Sequence, residues 1–163
     1  EINLDIQQVT DGLIEEFKRD IEEYAEGYQD LVIESTVLAD TKRWFSLDLM
    51  MYQGAGSGYE CHRHYTIDKT TGERATLAGL FGADYTQVIS QSVKEQMRQR
   101  MAQDDSLTYW VDYEDVPAWN FQEIAQDQDF YVNEAGNAVI CFDEYEVAPG
   151  YMGCVEFEVE VPQ

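Results

Sequence analysis

Cys61-His62-Arg63-His64 is the stretch whose residue types come nearest to chemistry. On a strand, residues two apart share a face, so His62 and His64 point the same way with Glu60 beside them, and both could reach one metal ion. Two histidines do not close a site, and spacing supplies no further ligand, so the plainer reading is a histidine pair facing solvent. Aspartate and glutamate together number 33. With so many carboxylates, some pair stands at glycosidase-like separation by chance, and spacing cannot locate acid–base catalysis. No nucleophile elbow and no zinc-protease helix occurs. Gly54-Ala55-Gly56-Ser57-Gly58 joins two strand-like runs and precedes no helix, which suits a strand connection better than a phosphate cradle. The expectation is a binding module and not an enzyme, with no catalytic residue, no metal ligand and no cofactor assigned.

A binding surface is suggested instead by Tyr145-Glu146-Val147-Ala148-Pro149-Gly150-Tyr151-Met152-Gly153. Proline and glycines fix the turns of this segment, and it carries aromatic and methionine side chains in the most acidic part of the chain. Stiff aromatic anchors among charges are what protein interfaces use. Tyr151 suits equally an exposed anchor and a plug in the core. The candidate ligand-binding set is Asp143, Glu144, Tyr145, Glu146, Pro149, Gly150, Tyr151 and Met152, joined by the loop Gly54, Ala55, Gly56 and Ser57. Cys61, Cys141 and Cys154 match no spaced metal motif. Cys141 and Cys154 flank a loop and could face one another across neighbouring strands, although ordinary buried thiols are the commoner case.

The elements that must hold these residues are legible in periodicity. Ile6, Val9, Leu13, Phe17, Ile21, Tyr24 and Tyr28 fall at steps of three or four, one face of an amphipathic helix that Gly27 ends, and Asp5, Asp11, Glu15 and Asp20 lie on its wet face. Strand-like runs follow at Leu31 to Ala39, at Phe45 to Met51, and at Tyr59 to Ile67, the last two alternating with period two, as in an antiparallel sheet covered on one side. The turn Asp68 to Gly72 ends the third run. Leu77, Leu80 and Phe81 form a docking segment before a second helix from Asp84 to Gln103, striped by Tyr85, Val88, Ile89, Val93, Met97 and Met101. Pro117 opens a short helix, Phe130 to Phe142 reads as a hairpin around Asn133 to Asn137, and Val155 to Val161 alternates with Glu156, Glu158 and Glu160. The fold class is α+β: an antiparallel β-sheet with two main α-helices packed on one face. A length of 163 residues suits one domain with one core.

Net charge is −23, and it is unevenly spread. Residues 1–40 hold 12 acidic and 2 basic side chains, residues 41–103 hold 6 and 8, and residues 104–163 hold 15 and none. Such a surface projects a negative field beyond a Debye length of about 8 Å. That field repels nucleic acid and anionic lipid, and it speeds encounter with a cationic protein, a basic peptide or a metal ion. No run of about 18 apolar residues is present to form a spanning helix. The chain opens at Glu1 inside a helix and so reads as an excised piece with any anchor or targeting segment upstream.

Several blocks in order carry a family resemblance. Tyr65-Thr66-Ile67-Asp68, Thr71-Gly72-Glu73, Leu77-Ala78-Gly79-Leu80-Phe81, Phe130-Tyr131-Val132, Gly136, Tyr145 to Pro149, Gly153 and Glu156-Phe157-Glu158-Val159 together resemble the C-terminal extracytoplasmic domain of RsiV-type anti-sigma factors, a domain similar to one attached to some bacterial peptidoglycan deacetylases. The likeness runs from about Leu31 to the end, with residues 1–30 as the helix of the companion region and 1–163 as one extracytoplasmic domain. It departs at Gly54-Ala55-Gly56-Ser57, where many members carry Gly-Gly-Ala-His, and at Gly150, where many place an aromatic. The resemblance implies a membrane-anchored cell-surface protein whose outer domain recognises lysozyme, after which proteolysis releases a sigma factor. Anchor, sigma-binding region and cleavage site would all lie outside this stretch. A cell-wall polysaccharide binder, with Trp110, Trp119 and the tyrosines stacking on sugars, is the rival.

Overall fold

The alternation of Leu47, Leu49 and Met51 with Ser46, Asp48 and Met50 sorts one strand into an apolar and a polar face, and each face finds a different cover. In the computed structural model, which describes residues 2–23, 29–55, 57–114 and 116–162, the chain runs α1 (Ile2–Glu23), β1 (Gln29–Asp40), β2 (Trp44–Ala55), β3 (Ser57–Asp68), β4 (Glu73–Arg74), α2 (Leu77–Phe81), α3 (Tyr85–Gln103), β5 (Phe130–Val132), β6 (Ala138–Phe142) and β7 (Val155–Val159). Single 3₁₀ turns at Pro117–Trp119 and Gly150–Met152 interrupt the loops. The architecture is α+β, and every strand pairing is antiparallel. The strands divide between two sheets, β1-β2-β3-β4 and β5-β6-β7. Tyr24, Gly27 and Tyr28 lie outside the described residues.

Helix α1 covers the apolar face of the first sheet, where Ile2, Ile6, Val9 and Leu13 pack on Leu49, Met51 and Tyr65. Asp5 is not merely solvated as its place on the acidic face suggests: Tyr65 donates its hydroxyl to the Asp5 carboxylate at 2.9 Å, and Arg63 stands 3.8 Å from it. The second sheet packs on α3. Ile89, Val93 and Met97 meet Ala138, Ile140, Phe142 and Phe157 in the main core, while Val88 of the expected stripe is exposed. The cations of α3 turn to aromatic rings and one carboxylate. Arg100 lies 4.4 Å over Phe157, Lys94 lies 5.8 Å over Phe121, and Arg98 grips Asp112 through two bonds of 2.6 and 2.9 Å.

The polar face of the first sheet is not wet. Strand β5, an edge of the second sheet, lies on it and buries Ser46, His64 and Thr66. Ser46 Oγ donates to the Val132 carbonyl at 2.6 Å, the Val132 N–H donates to Thr66 Oγ1 at 3.1 Å, and the two hydroxyls lie 2.9 Å apart. Because Ser46 has spent its one proton on Val132, Thr66 donates to Ser46, and the ring closes. An edge strand with unpaired N–H and C=O groups is thereby satisfied by side chains of the other sheet. No buried side-chain nitrogen or oxygen among the described residues lacks a partner.

The expected turn after β3 is built on Asp68, whose Oδ1 accepts from the Thr70 hydroxyl at 2.5 Å and the Thr70 N–H at 2.9 Å, while Oδ2 accepts from Arg43 at 2.9 Å. Gly72 closes it at φ +76°, a left-handed value natural to glycine. The Thr70 hydroxyl first, then its N–H and Arg43, hold the Asp68 carboxyl down to about 2. A depressed carboxylate contributes stability above its unfolded value and loses it as pH falls through the folded one. Asp68→Asn is therefore expected to lie furthest below the parent protein in unfolding free energy near pH 5 and to converge on it as pH falls towards about 2. Parallel curves across that range would remove Asp68 from the acid limb.

Candidate functional site

The loop from Asp143 to Cys154 is anchored from below and open above. Val147 and Ala148 are buried in the main core, Met152 packs against it, and the Val147 carbonyl accepts the Trp110 N–H at 2.8 Å. Two tyrosines project from this footing, Tyr145 at 62% and Tyr151 at 68% exposure. Tyr145 holds φ +66°, a left-handed conformation that is uncommon for a bulky residue and is kept only where the surroundings enforce it. Its ring lies over Gly150, in the space where any side chain at that position would stand. Tyr151 donates its hydroxyl to Thr108 Oγ1 at 2.8 Å and the Ser106 carbonyl at 3.0 Å. Both rings are thus held in place while still facing solvent.

The carboxylates of this loop differ among themselves. Asp143 Oδ1 accepts the His62 N–H at 3.1 Å, and Glu146 accepts the Asp143 N–H at 3.0 Å. Loss of water pushes both carboxyls up, against these hydrogen bonds. They act first as local braces, which leaves Glu144 as the loop's least committed carboxylate. Pro149 and Gly150 are half-buried.

The glycine loop of the expected set is the tip of the β2–β3 hairpin, where Gly54 pairs with Gly58 and is crowded by Asp30 and Tyr52. Gly56 lies outside the described residues. The hairpin meets the tyrosine loop further down: Cys154 Sγ lies 3.5 Å from the Glu60 carbonyl, and Tyr59 is raised by burial and by the Asp143 charge. The Cys141–Cys154 pairing is not formed. All three cysteines are free, and Cys141 pairs in the ladder with Glu156.

The histidine pair is not wholly in solvent: Tyr131 of β5 and Asp129 in the segment before it cover His64, while the His62 side chain stays partly exposed. His64 is 3% exposed and stacks on Tyr131 at 5.1 Å, and the rings of His62 and His64 lie 5.8 Å apart and nearly parallel. The register that pairs Asp48 with His64 adds a carboxylate that spacing within β3 could not reveal. Asp48 Oδ1 lies 2.9 Å from His62 Nδ1 and 3.6 Å from His64 Nε2. The outer nitrogens meet other carboxylates, His62 Nε2 on Glu60 at 3.2 Å and His64 Nδ1 on Asp129 at 2.7 Å. Asp48 first, then the Cys154 sulfur and Glu60, push His62 up to about 11. Three sets of potential metal-ligating atoms fall within 4.8 Å of one another along this seam: Asp48, His62 and His64; Glu60, His62 and Cys154; His64, Cys141 and Glu156.

Tyr145 and Tyr151 stand exposed on the loop that the proline and glycines mark in the sequence, whereas Asp48, Asp129 and Tyr131 join the histidines only where the two sheets meet. Among the described residues no helix is long and apolar enough to cross a membrane.

Known proteins share the sequence and the fold of this chain. Over 148 residues the chain is 38% identical to the anti-sigma-V factor RsiV of Bacillus subtilis strain 168; the match takes in 90% of this chain and 51% of that protein, so the chain spans about half the length of its curated relative. Two solved structures share the fold. A DUF3298 family member from Bacteroides fragilis superimposes with a TM-score of 0.60 at 17% identity, over 95% of this chain and 64% of that one. A DUF3298 family protein from Pseudomonas aeruginosa PAO1 does so with a TM-score of 0.63 at 14% identity, over 88% and 64%. Residues 78–161 match the family described as protein of unknown function DUF3298, and the chain, an RsiV-type domain, belongs to that family.

Proposed function

We propose that this chain is the outer, ligand-binding domain of an anti-sigma factor-like protein and that its ligand is a cationic cell-wall lytic protein of the lysozyme type. One observation supports this above the others. Tyr145 and Tyr151 stand exposed on a loop whose base is buried, in a chain of net charge −23. Rigid aromatic anchors supply contact area at little entropic cost, and the surrounding field speeds the approach of a basic partner. The relative's name adds the anti-sigma role to the reading. Residues 1–163 would act as one domain at the cell surface, with α1 as the companion helix. Membrane anchor, sigma-binding region and cleavage site would belong to other parts of the full-length protein.

Calorimetric titration of the domain with lysozyme tests the proposal. Binding is expected at about 0.05 M salt and should weaken as salt screens the field. Tyr151→Ala should weaken it roughly tenfold, about 1.4 kcal/mol, while Tyr151→Phe, which keeps the ring and loses the tether to Thr108, should cost less. No heat at low salt, or affinity untouched by Tyr151→Ala, defeats the reading.

A second reading, binding to cell-wall polysaccharide, draws on Trp119, which is 60% exposed and in tilted contact with Trp110 at 5.8 Å, with Tyr113 exposed nearby in sequence. Stacking on sugars resists salt. Retention on purified peptidoglycan that survives high salt and is lost in Trp119→Ala would favour it over the charged ligand.

A further inference from the structure

We propose that Asp48, His62 and His64 form a binding site for a single zinc-class divalent ion at the seam between the two sheets. The site rests on ligand geometry and is independent of the ligand assigned to the tyrosine loop.

A tetrahedral ion with bonds of about 2.0–2.1 Å sets its ligand atoms roughly 3.3 Å apart. Asp48 Oδ1 stands 2.9 Å from His62 Nδ1 and 3.6 Å from His64 Nε2, and the three atoms lie within 4.8 Å of one another. This closeness is a product of register. Asp48 is the direct cross-strand partner of His64, and His62 is the diagonal neighbour on the same face.

The outer contacts are those of a metal site. A metal-bound histidine characteristically gives its other ring N–H to a carboxylate, which fixes ring orientation and tautomer. Here both histidines do so, His62 Nε2 to Glu60 at 3.2 Å and His64 Nδ1 to Asp129 at 2.7 Å, and Asp129 also accepts the His64 backbone N–H at 3.1 and 3.2 Å. With Nδ1 held on Asp129 at 2.7 Å, the His64 ring turns Nε2 towards the Asp48 oxygen 3.6 Å away. An ion bound here takes the place of the proton that His62 shares with Asp48, so its uptake releases that proton. Two imidazole nitrogens and one carboxylate select zinc-like ions over calcium or magnesium, which take oxygen ligands. Three protein ligands leave the fourth position of the ion to solvent on the exposed side of His62. Bound there, the ion clips β2 to β3 directly and, through Asp129, ties the first sheet to the segment that leads into β5.

The test uses the domain freed of metal by chelator. Zinc titration by calorimetry and elemental analysis should give one ion per chain, and zinc should raise the unfolding temperature. Cobalt as a spectroscopic probe should give the visible bands of a four-coordinate nitrogen–oxygen site without a thiolate charge-transfer band, a readout that needs no variant. Asp48→Asn should weaken binding at least about a hundredfold, and Asp129→Asn, one contact further out, by about 10–100-fold, with circular dichroism confirming that each is folded. Cys154→Ser should leave affinity unchanged. No saturable binding, affinity unaltered in Asp48→Asn, or a thiolate band that disappears in Cys154→Ser would overturn the proposal, the last by moving the ion to Glu60, His62 and Cys154.

Discussion

Phe157→Ala should cost the domain about 3–5 kcal/mol of unfolding free energy, the largest loss expected from any single truncation in the second sheet. The ring is fully buried, stands 5.5 Å from Tyr109 and 5.8 Å edge-on from Phe142, and carries Arg100 on its face at 4.4 Å. Removing it opens a cavity between α3 and β7 and takes away the aromatic face under a partly buried guanidinium, so transfer, cavity and cation–π losses fall together. Chemical denaturation should register the change as a lower midpoint at unchanged slope. A loss below about 1 kcal/mol would mean that the neighbouring chains collapse into the space and that the core is centred elsewhere.

Thr66→Val should cost about 2–3 kcal/mol although it preserves shape and adds apolar surface. The threonine hydroxyl is the middle of the ring formed by Val132 N–H, Thr66, Ser46 and Val132 C=O. Valine leaves the Val132 N–H buried without an acceptor and deprives Ser46 of its donor. The penalty for an orphaned buried donor exceeds the net worth of an average hydrogen bond. Ser46→Ala breaks the same ring, so the double variant should cost less than the sum of the singles, with a coupling of roughly 0.5–3 kcal/mol. Strict additivity would show that the two hydroxyls act separately and that the sheets are held by other contacts.

Much of this molecule is legible one element at a time. The three-to-four spacing of Ile6, Val9 and Leu13 and of Ile89, Val93 and Met97 gives α1 and α3; the alternation of Val155, Phe157 and Val159 with glutamates gives β7; Asn133 to Asn137 gives the hairpin turn. These signals are local, because a helix or strand buries the residues its own period brings to one face. The tyrosine loop is legible for a related reason, since Pro149, Gly150 and Gly153 restrict the backbone wherever they occur. Local rules do not say which loop side chain points outwards. Met152 turns to the core and Tyr145 to solvent, with its backbone in the left-handed region.

The histidine seam marks the limit. A period of two tells which residues share a face, and it correctly sets His62, His64, Ser46 and Asp48 apart from the apolar side. It carries no information about what lies on that face, because a serine, threonine or histidine satisfied by water has the same place in the sequence as one satisfied by another strand. Burial of such a face becomes tolerable only when each polar atom gains a partner, as Ser46 and Thr66 do on Val132 and His64 on Asp129. Those partners lie 65 to 86 residues away along the chain. Periodicity and composition are enough to set α1, α3, most of the strands, the acidic balance and the stiff loop. The burial of a polar strand face arises where one sheet packs on the other, and it is sustained by hydrogen bonds between residues distant in the chain.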